Sequence, residues 1–124
     1  MQNSSSITVY GIPNCDTVKK ARVWLQEQGI DFVFHNFKKD GLDRESIERW
    51  LTHVNLDVLI NRKGTTWRAL SDEQKASCDH SEQAIALMLT SPSVIKRPVL
   101  QIISQDKQQV TVGFSPQLYQ PLFK

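Results

Sequence analysis

Cysteine is scarce in this sequence, with only Cys15 and Cys78 among 124 residues. Two thiols in separate segments make no disulfide framework. Neither they nor the three scattered histidines stand at spacings that would hold zinc. No apolar run comes near the ~20 residues that a membrane-spanning helix needs. Met1–Ser6 is polar and lacks the charged start and apolar core of a secretory leader. Charge of one sign is also missing: 15 Lys and Arg face 13 Asp and Glu, a net of +2, with no polybasic run. That excludes an argument from bulk charge for a nucleic-acid partner, and most of the basic residues read as solvated surface. The expectation is a reduced, cytoplasmic protein with no metal, membrane or nucleic-acid partner. Its length is enough for one core without staples.

What is present is a sequence of short, well-punctuated elements. Ile7–Tyr10 is β-branched or aromatic and reads as a strand. From Asp16 to Gln28 the spacing is helical: Val18, Ala21 and Leu25 share one face with Trp24 beside it, and Gly29 is suited to close the helix at positive φ. "IDFVFHNF" predicts a second strand, parallel to the first across a right-handed connection. Asp43 reads as an N-cap, with Leu42 and Ile47 spaced as a hydrophobic staple. Ile47, Trp50, Leu51 and Val54 then give an amphipathic helix. "LDVLINRKGTTWRAL" predicts a short helix broken at Gly64, and "SDEQKAS" another helical turn. "SEQAIALMLTSP" predicts a helix capped by Ser81, with Ile85, Met88 and Leu89 inward, ended by Pro92. "PVLQII" and "QVTVGF" predict an antiparallel hairpin across the polar turn Ser104–Gln109. Ser115 and Pro116 open a short final helix as N-cap and N1. The order β-α-β, helices, β-β-α predicts an α/β protein. It is a single thioredoxin-like domain over 1–124, with one mixed sheet and a helical insertion at about 43–90.

Cys15 stands directly after "GIPN" and directly before the first helix. Helix N-termini present unpaired N–H groups and a partial positive charge, and such positions favour the cysteine thiolate. Cys15 is therefore expected to be ionised, and reactive, to a greater extent than a free cysteine, with Asn14 and Thr17 as added donors. Cys78, in the polar stretch "KASCDH", reads as an ordinary structural cysteine. Three residues after Cys15 stands Val18, so there is no Cys-x-x-Cys pair. A mixed disulfide on Cys15 then has to be resolved by an outside thiol, which points to monothiol chemistry with glutathione as co-substrate and no bound cofactor.

"YGIPNCDTVKKA", then "NRKG", then "IKRPVL" resemble the arsenate reductase-like family, the ArsC/Spx group, most closely its YffB-like branch, over roughly residues 7–121. The resemblance implies that Cys15 is the nucleophile and that Arg62 and Arg97 bind an anion, with Pro98 as the cis-proline facing Cys15. In the family's arsenate reductases the cysteine attacks arsenate, three arginines hold the oxyanion, and glutathione and glutaredoxin complete the reduction. The third arginine is due in or after the last hairpin. That region, "SQDKQQVTVGFSPQLYQ", has Lys107 as its only cation, and lysine lacks the bidentate fork. The YffB-like branch implies a glutathione-dependent thiol reductase acting on a small thiol or oxyanion, with glutaredoxin as a candidate partner. The alternatives are arsenate reduction and an Spx-like redox-sensing binding protein. Spx-type regulators carry a Cys-x-x-Cys switch, and here Val18 takes the place of its second cysteine.

Overall fold

β1 (Ser6–Gly11) is followed by α1 (Asp16–Glu27) and β2 (Val33–Asn36). β1 and β2 run parallel, with Thr8 opposite Val33 and Gly11 opposite Asn36. β3 (Val99–Ile103) and β4 (Gln108–Val112) form an antiparallel hairpin, and β3 pairs antiparallel with β1, giving the sheet order β2-β1-β3-β4. This is the thioredoxin arrangement expected from the element order. The computed structural model describes residues 6–104 and 107–123. Ser104 N–H donates to Lys107 O (2.8 Å) across the hairpin turn; Gln105 and Asp106, which the sequence assigns to that turn, lie outside the described residues.

The chain divides into two compact units, 1–41 with 97–124, and 42–96. The first holds the sheet. Val18, Ala21 and Leu25, the predicted inner face of α1, are fully buried. Ala21 and Leu25 pack with Val9, Leu100, Ile102 and Tyr119. Half-buried Trp24, Phe114 and Phe123 close this core. Phe114 and Tyr119 meet edge to face with centroids 4.7 Å apart, and Trp24 meets Tyr119 likewise at 5.7 Å. Gly29 adopts φ +70° after the C-cap Gln28, as α1's end requires. Ser115 caps α8 (Pro116–Tyr119), accepting from Leu118 N–H (3.0 Å).

β2 is shorter than the predicted run over 30–37. The Asn36 side chain accepts from Lys38 and Lys39 N–H and opens a helical turn, α2 (Phe37–Asp40), which takes Phe37 out of the strand. β4 stops before Gly113, whose φ of +87° ends the strand and leaves Phe114 outside it.

The second unit is helical. Asp43 caps α3 (Arg44–Leu51), accepting from Ser46 N–H (2.9 Å). Ile47 and Trp50 are fully buried, while Leu51 and Val54 are half-buried. The predicted "LDVLINRKGTTWRAL" helix is instead two single turns, α4 (Leu56–Leu59) and α5 (Thr65–Arg68). Between them Ile60 bridges to Ile95, with Asn61 N–H donating to Val94 O (2.8 Å) and Lys96 N–H to Leu59 O (2.7 Å). This long-range pairing claims backbone groups that a continuous helix would use, and local sequence does not announce it. α6 (Asp72–Ser77) begins with a Ser71/Gln74 capping box. α7 (Ser81–Thr90) starts one residue earlier than predicted: His80 is the N-cap, in extended conformation, and Ser81 is already helical. Its buried face is Ala84, Ile85 and Met88, with Leu89 half-buried. Arg44 ties α3 to α7 through Glu82 and pairs with Glu48.

Two outcomes follow from the first unit. A Cβ on Gly11 would lie 2.7 Å from Val18 Cγ2, and Val18 is a fully buried, stiff β-branched residue. Gly11→Ala is expected to lose about 1–3 kcal/mol in urea unfolding; an unchanged midpoint would contradict this packing. The Tyr119 hydroxyl is buried without a hydrogen-bond partner among the described residues, and burial pushes its ionisation well above the usual tyrosine range. The neutral phenol is favoured in the folded state, so its contribution is intact below pH ~10 and falls as pH rises further. Tyr119→Phe is expected to be at least as stable as the parent at pH 7, and to lose less stability between about pH 10 and 12 in denaturant titrations.

Candidate active site

The site is built at one end of the sheet in the first unit. β1 ends at Gly11, and the loop 12–14 delivers Cys15 as the N-cap of the twelve-residue helix α1. Tyr10 pairs with Val99, so the residue before it, Pro98, enters the sheet beside the end of β1. The Arg97–Pro98 peptide is cis, the isomer that the fold led us to expect. Gly113 N–H donates to Pro98 O (2.9 Å), tying the end of β4 to the same corner. Pro98 is buried and Arg97 half-buried. Sequence reasoning did not single out Gly113. A glycine inside the predicted strand "QVTVGF" was its available signal.

Cys15 is extended (φ −119°, ψ 123°) and partly exposed. The first hydrogen bond of α1 runs from Lys19 N–H to Cys15 O (3.0 Å). The N–H groups of Asp16, Thr17 and Val18 precede that bond and, among the described residues, no hydrogen bond takes them up. Three uncommitted donors at a helix start favour an anion there. The sulfur itself accepts no hydrogen bond from them, so the influence on it is the field of the helix end rather than a formed cap. Asn14 is exposed in the turn before Cys15 and Thr17 is half-buried at the second helical position. Among the described residues, neither donates to the sulfur.

Cys15, Asn14, Thr17, Arg97 and Pro98 thus belong to one unit and one end of its sheet. Arg62 belongs to the other unit. It lies in the turn after Ile60 rather than at a helix end, and its guanidinium is already engaged. Its Nη2 is 3.0 Å from Asp57 Oδ1, and its Cζ stands 5.2 Å from the centre of the Trp67 ring. The pair is exposed and contributes little stability, but it occupies one side of the fork.

Cys78, the C-cap of α6, is buried, and its thiol donates to Gln74 O (3.3 Å) in that helix. Burial holds this thiol above the ordinary cysteine range, opposed in part by the Arg62 charge. The neutral thiol is thereby retained at neutral pH, which leaves it inert. Among the described residues, no group of three His, Cys, Asp or Glu stands together as metal ligands would, and no helix is long and apolar enough to cross a membrane. Treatment of the native protein with iodoacetamide at pH 7.5 is expected to place one label on Cys15, with Cys78 labelled only in denaturant, read by peptide mass. Equal labelling of both in the native state would contradict this site.

Comparison with known proteins matches the same framework. The ArsC family profile covers residues 10–122. An uncharacterised protein of Haemophilus influenzae is 43% identical over 117 residues, 94% of this chain and 98% of its own length. The solved structure named YFFB protein is 44% identical with a TM-score of 0.82, covering 92% of this chain and 96% of the other. The solution structure of an arsenate reductase (ArsC) related protein from Brucella melitensis is 46% identical, with a TM-score of 0.73 and coverage of 100% and 99%. More distantly, the global transcriptional regulator Spx of Lactiplantibacillus plantarum is 28% identical over 112 residues, 88% of this chain and 80% of its own length. The profile match over nearly the whole chain, together with the shared fold, shows that the chain belongs to the ArsC family.

Proposed function

We propose that this chain is a monothiol reductase that uses glutathione, with Cys15 as the nucleophile. The observation that carries the reading is the placement of a partly exposed sulfur as the N-cap of α1, before three uncommitted N–H groups and at the sheet corner entered by Pro98. The Cys15 thiolate attacks the glutathione sulfur of a mixed disulfide. The S–S bond breaks, the other sulfur leaves as a thiolate, and Cys15 carries glutathione. A second glutathione thiolate then attacks that sulfur, releasing glutathione disulfide and restoring the Cys15 thiolate. Each turnover consumes one free glutathione: the disulfide bond passes from the substrate to glutathione disulfide, and the substrate sulfur is released as its thiolate. Glutaredoxin is an alternative acceptor of the glutathione held on Cys15. Arg97, at the same corner, is the candidate cation for a glutathione carboxylate.

Two features favour this over the alternatives. No arginine follows Arg97 in the sequence, so an oxyanion is one charge-assisted contact short, a loss of about 1.5–3 kcal/mol. That weighs against arsenate as substrate. Val18, where Spx-type regulators carry their second cysteine, is fully buried, which weighs against a dithiol switch.

Incubation with glutathione disulfide is expected to add about 305 Da to the chain through thiol–disulfide exchange. Cys15→Ser is expected to abolish the addition and Cys78→Ser to keep it, by intact mass. An adduct that survives in Cys15→Ser assigns the wrong residue. No adduct on the parent protein defeats the chemistry.

A further inference from the structure

The outer face of α1 does not end at the reacting corner. A groove of about 440 Å³ runs along it, lined by Lys19, Lys20, Val23, Trp24 and Glu27 of the helix and by Phe114 and Pro116 from the opposite wall. Val23 is half exposed (50%), Pro116 is exposed, and Trp24 and Phe114 present half-buried rings. Apolar surface rimmed by charge is the character of an interaction site.

Both walls of the groove connect along the chain to the Cys15 corner. At 1.5 Å rise per residue, Lys19 stands about 6 Å along the axis from Cys15, Val23 about 12 Å and Glu27 about 18 Å. The other wall, 113–116, starts from Gly113, whose N–H is bonded to Pro98 O. The cations lie at the Cys15 end and the carboxylate at the far end.

We propose that this groove docks a polypeptide substrate, seating an apolar side chain over Trp24, Val23 and Phe114 and a carboxylate on Lys19 and Lys20. The proposal rests on the reading of Cys15 as the reacting thiol and names its substrate class: a protein cysteine in mixed disulfide with glutathione. Glutathione alone offers carboxylates for the lysines but has no apolar side chain for the rings, so it leaves the apolar part of the groove uncovered. An extended segment advances about 3.3 Å per residue. With its modified cysteine at Cys15, it reaches the lysines about two residues on and Val23 about two residues beyond. The Cys15 thiolate takes the glutathione sulfur, the docked polypeptide leaves as its thiolate, and free glutathione regenerates Cys15 as above.

The test uses the full chain and the peptide Leu-Ser-Asp-Ser-Cys-Ser-Asp-Ser-Leu, which reads the same in either direction. Its control has Lys for each Asp and Ser for each Leu. In the binding arm, fluorescein-labelled versions with Ser in place of Cys are titrated by anisotropy. The acidic, apolar peptide is expected to bind about tenfold tighter than its control, and Val23→Glu and Lys19→Glu are each expected to weaken it about tenfold. Both substitutions fall on exposed positions, and circular dichroism checks their fold. Equal binding of the two peptides, or no effect of either substitution, overturns the proposal. In the turnover arm, the ratio of kcat/KM for the glutathionylated peptide to that for cysteine–glutathione disulfide is expected to fall about tenfold in Val23→Glu. An unchanged ratio overturns the docking role. Binding as expected with no turnover of either disulfide overturns the Cys15 chemistry and leaves the groove standing. Turnover of both with no peptide preference in binding does the reverse.

Discussion

The handover from β1 to α1 depends on one close approach. Val18 Cγ2 occupies the space into which any side chain at position 11 would project. Because residue 11 is glycine, the first turn of α1 lies directly on the end of β1. That contact fixes where the helix begins, and hence where its unpaired N–H groups and the Cys15 sulfur are presented. The corner entered by Pro98 receives the N–H groups of the helix start from this placement, since a helix started a turn later would carry its field away from residue 15.

Around that corner the first unit divides its labour by sheet face and helix face. The inner face of α1 is buried with Val9, Leu100 and Tyr119, while the outer face keeps Lys19, Lys20 and Val23 in solvent. Trp24 lies between the two, packing on Tyr119 inward and forming groove wall outward. One helix thus serves as core, as anion-favouring terminus and as recognition surface. The second unit carries its own ties, the Ile60–Ile95 bridge and the Arg44–Glu82 pair, which hold short helices that have little intrinsic stability.

Much of the fold was legible because local chemistry and global structure agree. Val18, Ala21 and Leu25 declared the inner face of α1 by spacing alone, and Asp43, Ser115 and Gly29 declared their caps and stop. What could not be read depended on distant residues or on competing local bonds. Ile60 leaves the helical pattern because Ile95 pairs with it, 35 positions away. Phe37 leaves the strand because Asn36 caps a turn that its β-prone neighbours mask. The place of Cys15 at the start of α1 was legible, since a cysteine before a helical run is a local signal. Asp57 as the partner of Arg62, and Phe114 as a wall for α1, were not, because both depend on how turns fold back in three dimensions.

The sealed position of Val18 carries a further consequence. Peroxide converts an exposed thiolate to a sulfenic acid, and in many proteins a neighbouring cysteine closes on it before it oxidises further. Here α1 offers a packed methyl group at the site where such a neighbour would stand, and Cys78 keeps its hydrogen buried against Gln74 O. With Cys15 as the proposed reacting thiol, survival of its oxidised form then rests on external thiol: abundant thiol caps and rescues it, and thiol depletion leaves it open to irreversible over-oxidation.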